Sequence, residues 1–425
     1  MYRPNPVAAT GEHTMDDCRK TLVEILQAAL AGVNGRLRVA GHLRQHPAAG
    51  PVRVVAIGKA ASSMAEGAWQ TLGNRMQKLL LITKPGHADH FWTDMPDVEV
   101  IIAGHPVPDE GSLAAGRALL DFIDASPADV DLLFLISGGA SALVEALPEG
   151  WDLEALRELN RSLLAAGLDI VAMNRIRKRV SLLKGGKLLA YLKGRPAKGL
   201  FISDVPGDDP AVIGSGLLVA DPQAAEPLDI ESLPEPIRER LSTLLVLPPA
   251  PTDKIPLSVI ACLDDARRAA AERGRALGLQ VCEHAEFLQG DAAEVGAALA
   301  AQLRDGGQGL HVWGGETTVV LPPNPGAGGR NQHLALAAAQ VLEGLSGLCL
   351  LSAGTDGTDG PGCDAGAVVD GGSIGRGKLS GLDPHLCLAA ADSGRFLEAS
   401  GDLVNTGPTG TNVMDLVLGL VTVES

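Results

Sequence analysis

The sequence predicts an α/β protein of two domains, and three observations support that expectation. Short continuous apolar runs recur along the 425 residues and end in Gly, Ser or Asp, helix-forming stretches separate them, and one proline-rich span interrupts the pattern. Apolar runs without alternation belong to strands buried on both faces, so they read as a parallel sheet with helices on each side. The length exceeds what one ordinary core favours, which makes two domains the expectation.

In chain order, a helix is expected over about 16–30, where apolar residues recur at helical spacing. "VRVVAIG" (52–58), "LLLIT", "VEVIIAG", "DLLFLIS" (131–137) and "GLFIS" (199–203) then read as successive strands. Ligands of such sheets gather at the carboxyl ends of the strands. Eight prolines fall within 220–256, around one short helix candidate in "PEPIRERLSTLL". This span reads as the boundary between a domain 16–245 and a domain 250–425. Beyond it, "LSVIAC", "LQVCEH", "LHVWGGETTVVL" and "GLCLLSAG" read as strands, with helices from Asp264, Asp291 and about Asn331.

Apolar residues make up 46% of the chain and charged residues 20%, which describes a globular protein. A net charge of -16 argues against nucleic acid or an acidic membrane as partner, since both need a basic footprint. An anionic ligand then requires a local basic site. The six cysteines form no CxxC pair and no close His/Cys set, which favours reduced thiols in a cytoplasmic protein over disulfides or a zinc site. The N-terminus lacks the apolar core of a signal peptide, and no apolar run approaches the roughly 18 residues of a membrane span.

Several stretches carry candidate chemistry. In "AIGKAASSM", Lys59 follows Gly58 at a strand end, where an ammonium can meet a phosphate as a point charge; the bland alternative is an exposed lysine. "LISGGASAL" leaves a strand through Ser137, Gly138 and Gly139 into a helix, and its glycines permit close backbone approach to a phosphate or carboxylate; a tight structural turn is the alternative. "FISDVPGDDPAVIGSG" sets Asp204 and Asp208 past a strand end, as magnesium ligands, proton acceptors or simply turn residues. "MNRIRKRVSLLKGGKLLA" (173–190) reads as a helix with Asn174, Arg177, Ser181 and Lys184 on one face. Its tail is not a Walker A loop, because Leu188 stands where Ser or Thr would touch magnesium. "GGETTVVLPPNPGAGGRNQHLAL" offers Glu316, then Arg330 and Asn331 opening a helix, with a guanidinium fork suited to carboxylate or phosphate. "SAGTDGTDGPGCDAGAVVD" (352–370) gathers Asp356, Asp359, Asp364 and Asp370 at spacings that no EF-hand loop has. No GxGxxG fingerprint follows either glycine turn, so dinucleotide binding has no direct support.

With "AGHPVPDEGS" and "TGPTGTNVMDL" added, these stretches occur in the order of the class II glycerate kinases, the glycerate 2-kinase family with a C-terminal leucine-rich domain. The chain resembles that family from about Lys59 onward. Ala140, Leu217 and His333 depart from the pattern, in which glycine, proline and glutamate are expected. The resemblance implies an N-terminal Rossmann-like domain and a second α/β domain, with the active site in the cleft between them. It also implies transfer of the ATP γ-phosphoryl group to the C2 hydroxyl of D-glycerate, giving 2-phosphoglycerate, with magnesium. On that reading Lys59 and Arg330 neutralise charge on the transferring group or the glycerate carboxylate, and the turn at 137–139 binds an anion with its backbone amides. Asp204 and Asp356 bind magnesium or accept the hydroxyl proton. Asn174, Arg177, Lys184, Asp208, Glu316, Asn331 and Asp359 are the further substrate- or nucleotide-binding candidates. Two other readings stand beside this one: an NAD(P)H-dependent hydroxypyruvate reductase, a label the family has also carried, and a non-enzymatic sugar-acid or nucleotide-binding regulator with no need of Asp204 or Asp356.

Overall fold

The computed structural model describes residues 15–168, 170–244 and 255–422. The strands β1 (Val52–Ile57), β2 (Met76–Thr83), β3 (Val98–Ile102), β4 (Asp131–Ile136), β5 (Ala197–Ile202) and β6 (Leu257–Ala261) form one sheet in the order β3-β2-β1-β4-β5-β6. Every neighbouring pair is parallel. The order reverses between β1 and β4, the point at which a doubly wound sheet opens a ligand crevice. Both faces are covered, as the continuous apolar runs require. Leu119, Phe122 and Ile123 of the helix Glu110–Asp124 pack on one face with Val55, Ile57 and Phe134, while the helix Ala61–Leu72 packs on β1, β2 and β4 from the other.

A second sheet is mixed. Its strands β7 (Val281–Leu288), β8 (Gly309–Gly315), β9 (Leu348–Gly354), β10 (Gly366–Asp370), β11 (Leu403–Val404) and β12 (Asp415–Val421) lie in the order β11-β10-β9-β12-β8-β7. β7 and β8 are parallel and the remaining pairs antiparallel. The helices Met15–Gly32 and Leu263–Ala276 cover one face, with Leu22, Ile25 and Ala270 against Val312, Leu351 and Leu418. Ala292–Asp305 and Arg330–Leu342 cover the other, with Leu299 and Leu334 against Trp313, Leu350 and Val417. β10, β11 and β12 escape the sequence reading, because glycines, aspartates and hydroxyl-rich turns crowd their flanks.

The described residues divide into two compact units: those within 33–262, with 408–413, around the parallel sheet, and those within 15–32, 263–407 and 414–422 around the mixed sheet. This differs from domains at 16–245 and 250–425. β6 follows the proline-rich span yet pairs with β5, so the chain leaves the parallel sheet only after Cys262. The N-terminal helix belongs to the mixed-sheet unit. Its apolar face meets that sheet, and Arg19 lies 2.7 Å from Asp370 and 2.6 Å from Asp402, two buried carboxylates that Arg376 also binds.

The basic helix is Ile170–Val180 and stops before Ser181 and Lys184, so the expected face shared by Asn174, Arg177, Ser181 and Lys184 does not form. Lys187 closes it by donating to the carbonyls of Lys178 (2.8 Å), Arg179 (3.1 Å) and Ser181 (2.6 Å), a cation on orphan carbonyls at a helix end. Burial pushes the Lys187 ammonium down to about 8. Lys184 turns inward instead, 2.6 Å from Glu145, and both side chains are buried. Ser181 donates to the other Glu145 oxygen at 2.5 Å.

The helix Arg330–Leu342 starts after Gly329, which has no side chain to cap it. Asp359 supplies the cap from the aspartate-rich loop, accepting the N–H groups of Asn331 (3.0 Å) and Gln332 (2.8 Å). A Cβ at residue 329 would lie 2.4 Å from an Asp359 oxygen, so the glycine is what admits the cap. Burial pushes Asp359 up to about 6 against the pull of these hydrogen bonds, with Asp415 adding to the rise.

Lys184→Met is expected to lower stability by roughly 3 kcal/mol, because it strands the buried Glu145 carboxylate. Urea unfolding measures this; unchanged unfolding with weakened nucleotide affinity would return Lys184 to the binding residues. For Asp359, a folded pKa raised from 3.8 to about 6 means that the folded chain retains a proton the unfolded chain has lost across that window. The contribution is fully present below about pH 4, is lost as pH rises through about 6, and is on the order of 3 kcal/mol. Asp359→Asn should therefore flatten the fall in Tm between pH 4.5 and 7; an identical pH profile in wild type and variant would contradict the raised pKa.

Candidate active site

The turns after β1, β4 and β5 meet at the carboxyl edge of the parallel sheet. The Lys59 N–H donates to the Gly138 carbonyl at 2.9 Å, and the Ala60 N–H donates to Ser137 Oγ at 3.0 Å, so the first two turns are fastened together across the switch point. Gly58 holds φ at +127°, and a Cβ there would fall 2.2 Å from Ser137 Oγ. Asp204 comes up against Gly138, where a Cβ would fall 1.9 Å from Asp204 Oδ2 and 2.1 Å from Asn412 Nδ2. Asn412 donates to Asp204 Oδ2 at 3.0 Å. A Cβ at Gly139 would lie 3.0 Å from the His105 ring and 3.4 Å from Lys59 Cγ. His87 Nδ1 donates to the Lys59 carbonyl at 2.9 Å. A cleft of about 550 Å³ opens beside this group, with Arg36, Lys59, Ser62, Ser63, His87 and Thr409 among its lining residues.

Lys59, Ser137, Gly138, Gly139 and Asp204 are thus brought together. His105 and Asn412 join them, although sequence reasoning singled out neither. Both lie inside quoted motifs, "AGHPVPDEGS" and "TGPTGTNVMDL", and so were within reach. The helix expected after the glycine turn is a single turn, Ala140–Leu143, too short to project much of a dipole at an anion. Asp208 sits in a tight turn at φ +55°, its N–H on the Val205 carbonyl. Arg177 donates to Asn160 (2.8 Å) and Asn174 (3.3 Å), and Lys184 is held by Glu145. Asn174, Arg177 and Lys184 are therefore engaged with one another's surroundings and not with the strand-end group. The neighbouring recess lined by Arg175, Lys178, Arg179 and Lys187 holds only about 20 Å³, room for about one water molecule.

In the mixed-sheet unit, strand register does the gathering. β12 lies between β8 and β9 and pairs Asp415 with both Gly315 and Gly354, which places Glu316 and the start of the aspartate-rich loop beside it. Arg330 reaches in from the start of its helix. Its Nε and Nη2 donate to the two Asp415 oxygens at 2.6 and 3.0 Å, and Nη1 lies 2.6 Å from Glu316. Burial opposes the charge on Arg330, but Asp415 and Glu316 hold it above the ordinary arginine value. Asp415 is the partner that sequence reasoning missed, since nothing in "NVMDL" marks the aspartate as a strand-end group.

The four aspartates of the loop have four different tasks. Asp356 Oδ1 accepts the Thr358 N–H and hydroxyl, each at 2.9 Å, and lies as near as Asp415 Oδ1, 3.6 Å, to the position of a Cβ on Gly354. Asp359 caps the helix, Asp364 accepts from Asn405 at 3.3 Å, and Asp370 binds Arg19 and Arg376. Asn331 is buried, donating to Asp359 (3.3 Å) and accepting from Ser352 (2.6 Å), which gives it a packing role. His333 bonds Ser393 Oγ through Nδ1 at 3.0 Å, and burial lowers its pKa.

Residues 21–239 match the family described as a domain of unknown function, DUF4147, and residues 309–415 match the MOFRL family. Over 385 residues the chain is 37% identical to a Thermotoga maritima protein named D-glycerate 2-kinase, covering 87% of this chain and 90% of that one. Over 416 residues it is 36% identical to an Agrobacterium vitis protein that carries the provisional name hydroxypyruvate reductase, covering 94% and 93%. A crystal structure of glycerate kinase from Thermotoga maritima matches with a TM-score of 0.83 at 34% identity, covering 96% of this chain and 100% of that one. The likeness runs through both units and nearly the full length of these relatives, and on that ground the chain belongs to the glycerate 2-kinase family.

Proposed function

We propose that this chain transfers the γ-phosphoryl group of ATP to the C2 hydroxyl of D-glycerate, giving 2-phosphoglycerate and ADP. The observation that carries the reading is the switch-point group: a lysine, a glycine turn and a carboxylate held by Asn412, at the carboxyl edge of a doubly wound sheet in a member of the glycerate 2-kinase family. Phosphoryl transfer asks a protein mainly for positioning and charge neutralisation. Lys59 brings a compact ammonium to phosphate oxygens or to the glycerate carboxylate. Asp204, oriented by Asn412, accepts the C2 hydroxyl proton as that oxygen bonds to the γ-phosphorus and the bond from phosphorus to the ADP oxygen breaks. Arg330 serves charge neutralisation from a fork that Asp415 fixes, with the partly exposed Glu316 as the partner an anion would displace.

Magnesium needs few protein ligands, all hard oxygens, and takes most of the rest from phosphates and water. Asp204 and Asp356 are each carboxylates of that kind, so either residue fits the ion, which when bound supplies charge neutralisation on the phosphate oxygens. The cytoplasm is the proposed compartment, in keeping with six free cysteines. Among the described residues, no helix is long and apolar enough to cross a membrane. The reductase reading has less support. In a dinucleotide-binding sheet the turn after the first strand carries GxGxxG against the pyrophosphate, and here that turn, 58–61, reads "GKAA".

With D-glycerate and Mg-ATP the product should be 2-phosphoglycerate, identified by phosphorus NMR; 3-phosphoglycerate as the main product would reject the regiochemistry. Oxidation of NADH by hydroxypyruvate without ATP turnover would favour the reductase. Lys59→Ala should lower kcat by on the order of 10²-fold with little change in Tm, and Lys59→Arg should not restore it, because a fork cannot take an ammonium's place. Arg330→Ala should lower kcat comparably and also lower Tm, since the Asp415 side chain, 6% exposed, loses its counterion. Sequence alone assigns Arg330 no such structural duty. Near-normal kinetics in both variants would remove these residues from the site.

A further inference from the structure

The outer strand pair of the mixed sheet carries a second set of ligating side chains. β7 runs parallel to β8 with Cys282 opposite His311 and Glu283 opposite Val312. Regular pairing resumes only at Phe287 opposite Gly314, so residues 284–286 of β7 face Trp313 alone. That bulge re-aims His284. Its ring lies flat on Trp313, 4.5 Å between centroids at 10°, and beside His311, 5.3 Å at 16°. His284 Nε2 comes within 3.1 Å of His311 Nδ1, and Cys282 Sγ and one nitrogen of each ring lie within 4.8 Å of one another.

The protonation pattern suits metal binding. His311 Nε2 lies 3.3 Å from the Gly307 carbonyl, which can only accept, so Nε2 carries the proton and Nδ1 presents its lone pair. A ring nitrogen anchored on a backbone carbonyl while the other faces outward is the usual support for a metal-ligating histidine. Two histidine nitrogens on a tetrahedral zinc stand roughly 3.3 Å apart, from metal–nitrogen distances of about 2.0–2.1 Å. The pair is therefore nearly at ligand spacing already. Trp313 and His311 are buried and Cys282 is exposed, so the group opens toward solvent on the thiol side.

We infer that Cys282, His284 and His311 bind a zinc-class transition ion, with a fourth position left to solvent. Binding forms one Zn–S and two Zn–N bonds, releases the Cys282 thiol proton to solvent, and moves the proton of His284 from Nε2 to Nδ1. Thiolate and imidazole select zinc-class ions over magnesium, so this ion is distinct from the one that accompanies a nucleotide. The ion ties the edge strand β7 to β8 across its bulge. "LQVCEH" presents Cys282 and His284 two residues apart, but the third ligand stands 27 positions further on, which corrects the expectation that the chain has no close His/Cys set.

The test uses the full chain after chelator dialysis, with Co²⁺ as a spectroscopic probe. One equivalent should produce a thiolate-to-cobalt charge-transfer band that Zn²⁺ removes, and Zn²⁺ should raise Tm. Both effects should vanish in Cys282→Ser and persist in Cys363→Ser, a change at the other exposed cysteine. In the unaltered chain, Zn²⁺ should slow alkylation of Cys282 and leave Cys363 alone, mapped by mass spectrometry. Absence of the band at saturating Co²⁺, its survival in Cys282→Ser, or equal alkylation of Cys282 with and without Zn²⁺ would each overturn the site.

Discussion

The hydrogen bonds joining the turn after β1 to the turn after β4 set the geometry of the parallel-sheet unit's carboxyl edge. Two strands of one sheet lie about 4.8 Å apart, and where the strand order reverses their following segments diverge. Here the divergence begins only after Lys59 N–H has met the Gly138 carbonyl and Ser137 Oγ has taken the Ala60 N–H. The approach of Ser137 tolerates no Cβ at Gly58, and the approach of Asp204 tolerates none at Gly138. Lysine, glycine turn and carboxylate are then placed by backbone rather than by long side chains. On the proposed function, such a group is pre-organised for electrostatic stabilisation of a transition state.

The mixed-sheet unit solves a different problem. Its carboxylates accumulate at strand ends, at a loop and at the N-terminal helix, in a chain whose net charge is -16. Four buried acids have dedicated partners: Asp415 the Arg330 fork, Asp370 and Asp402 the pair Arg19 and Arg376, Asp359 the amides of a helix start. Charges taken out of water are costly unless paired with good geometry. The pairs consequently serve as fasteners as much as chemistry. Arg330 shows both at once, since the arms that hold Asp415 leave Nη1 to the exposed side, on Glu316.

Much of the parallel sheet was legible, because a strand buried on both faces announces itself by an unbroken apolar run. The same rule fails for β10 and β12, which begin or end among glycines and aspartates, and for domain limits. A proline-rich span resembles a linker whatever lies beyond it; only the pairing of β6 with β5 shows that the first sheet continues past it. The basic helix departs from its charge spacing for a related reason. Charge spacing suggested an outward face, whereas Lys184 meets Glu145 in the interior and Lys187 closes the helix end.

The sequence by itself determined the layered α/β class, the family, and the identity of the strand-end residues Lys59, 137–139 and Asp204, because these depend on local apolar runs and on motifs that are contiguous in the chain. Only the tertiary structure decided that Asn412 holds Asp204, that Asp359 caps a helix 28 positions earlier, and that Cys282, His284 and His311 stand together. Those relations span tens to hundreds of residues and are set by strand order, register and a bulge. Side-chain chemistry is written locally, but a carboxylate or an imidazole acquires its task from what the folded backbone brings within about 3 Å of it.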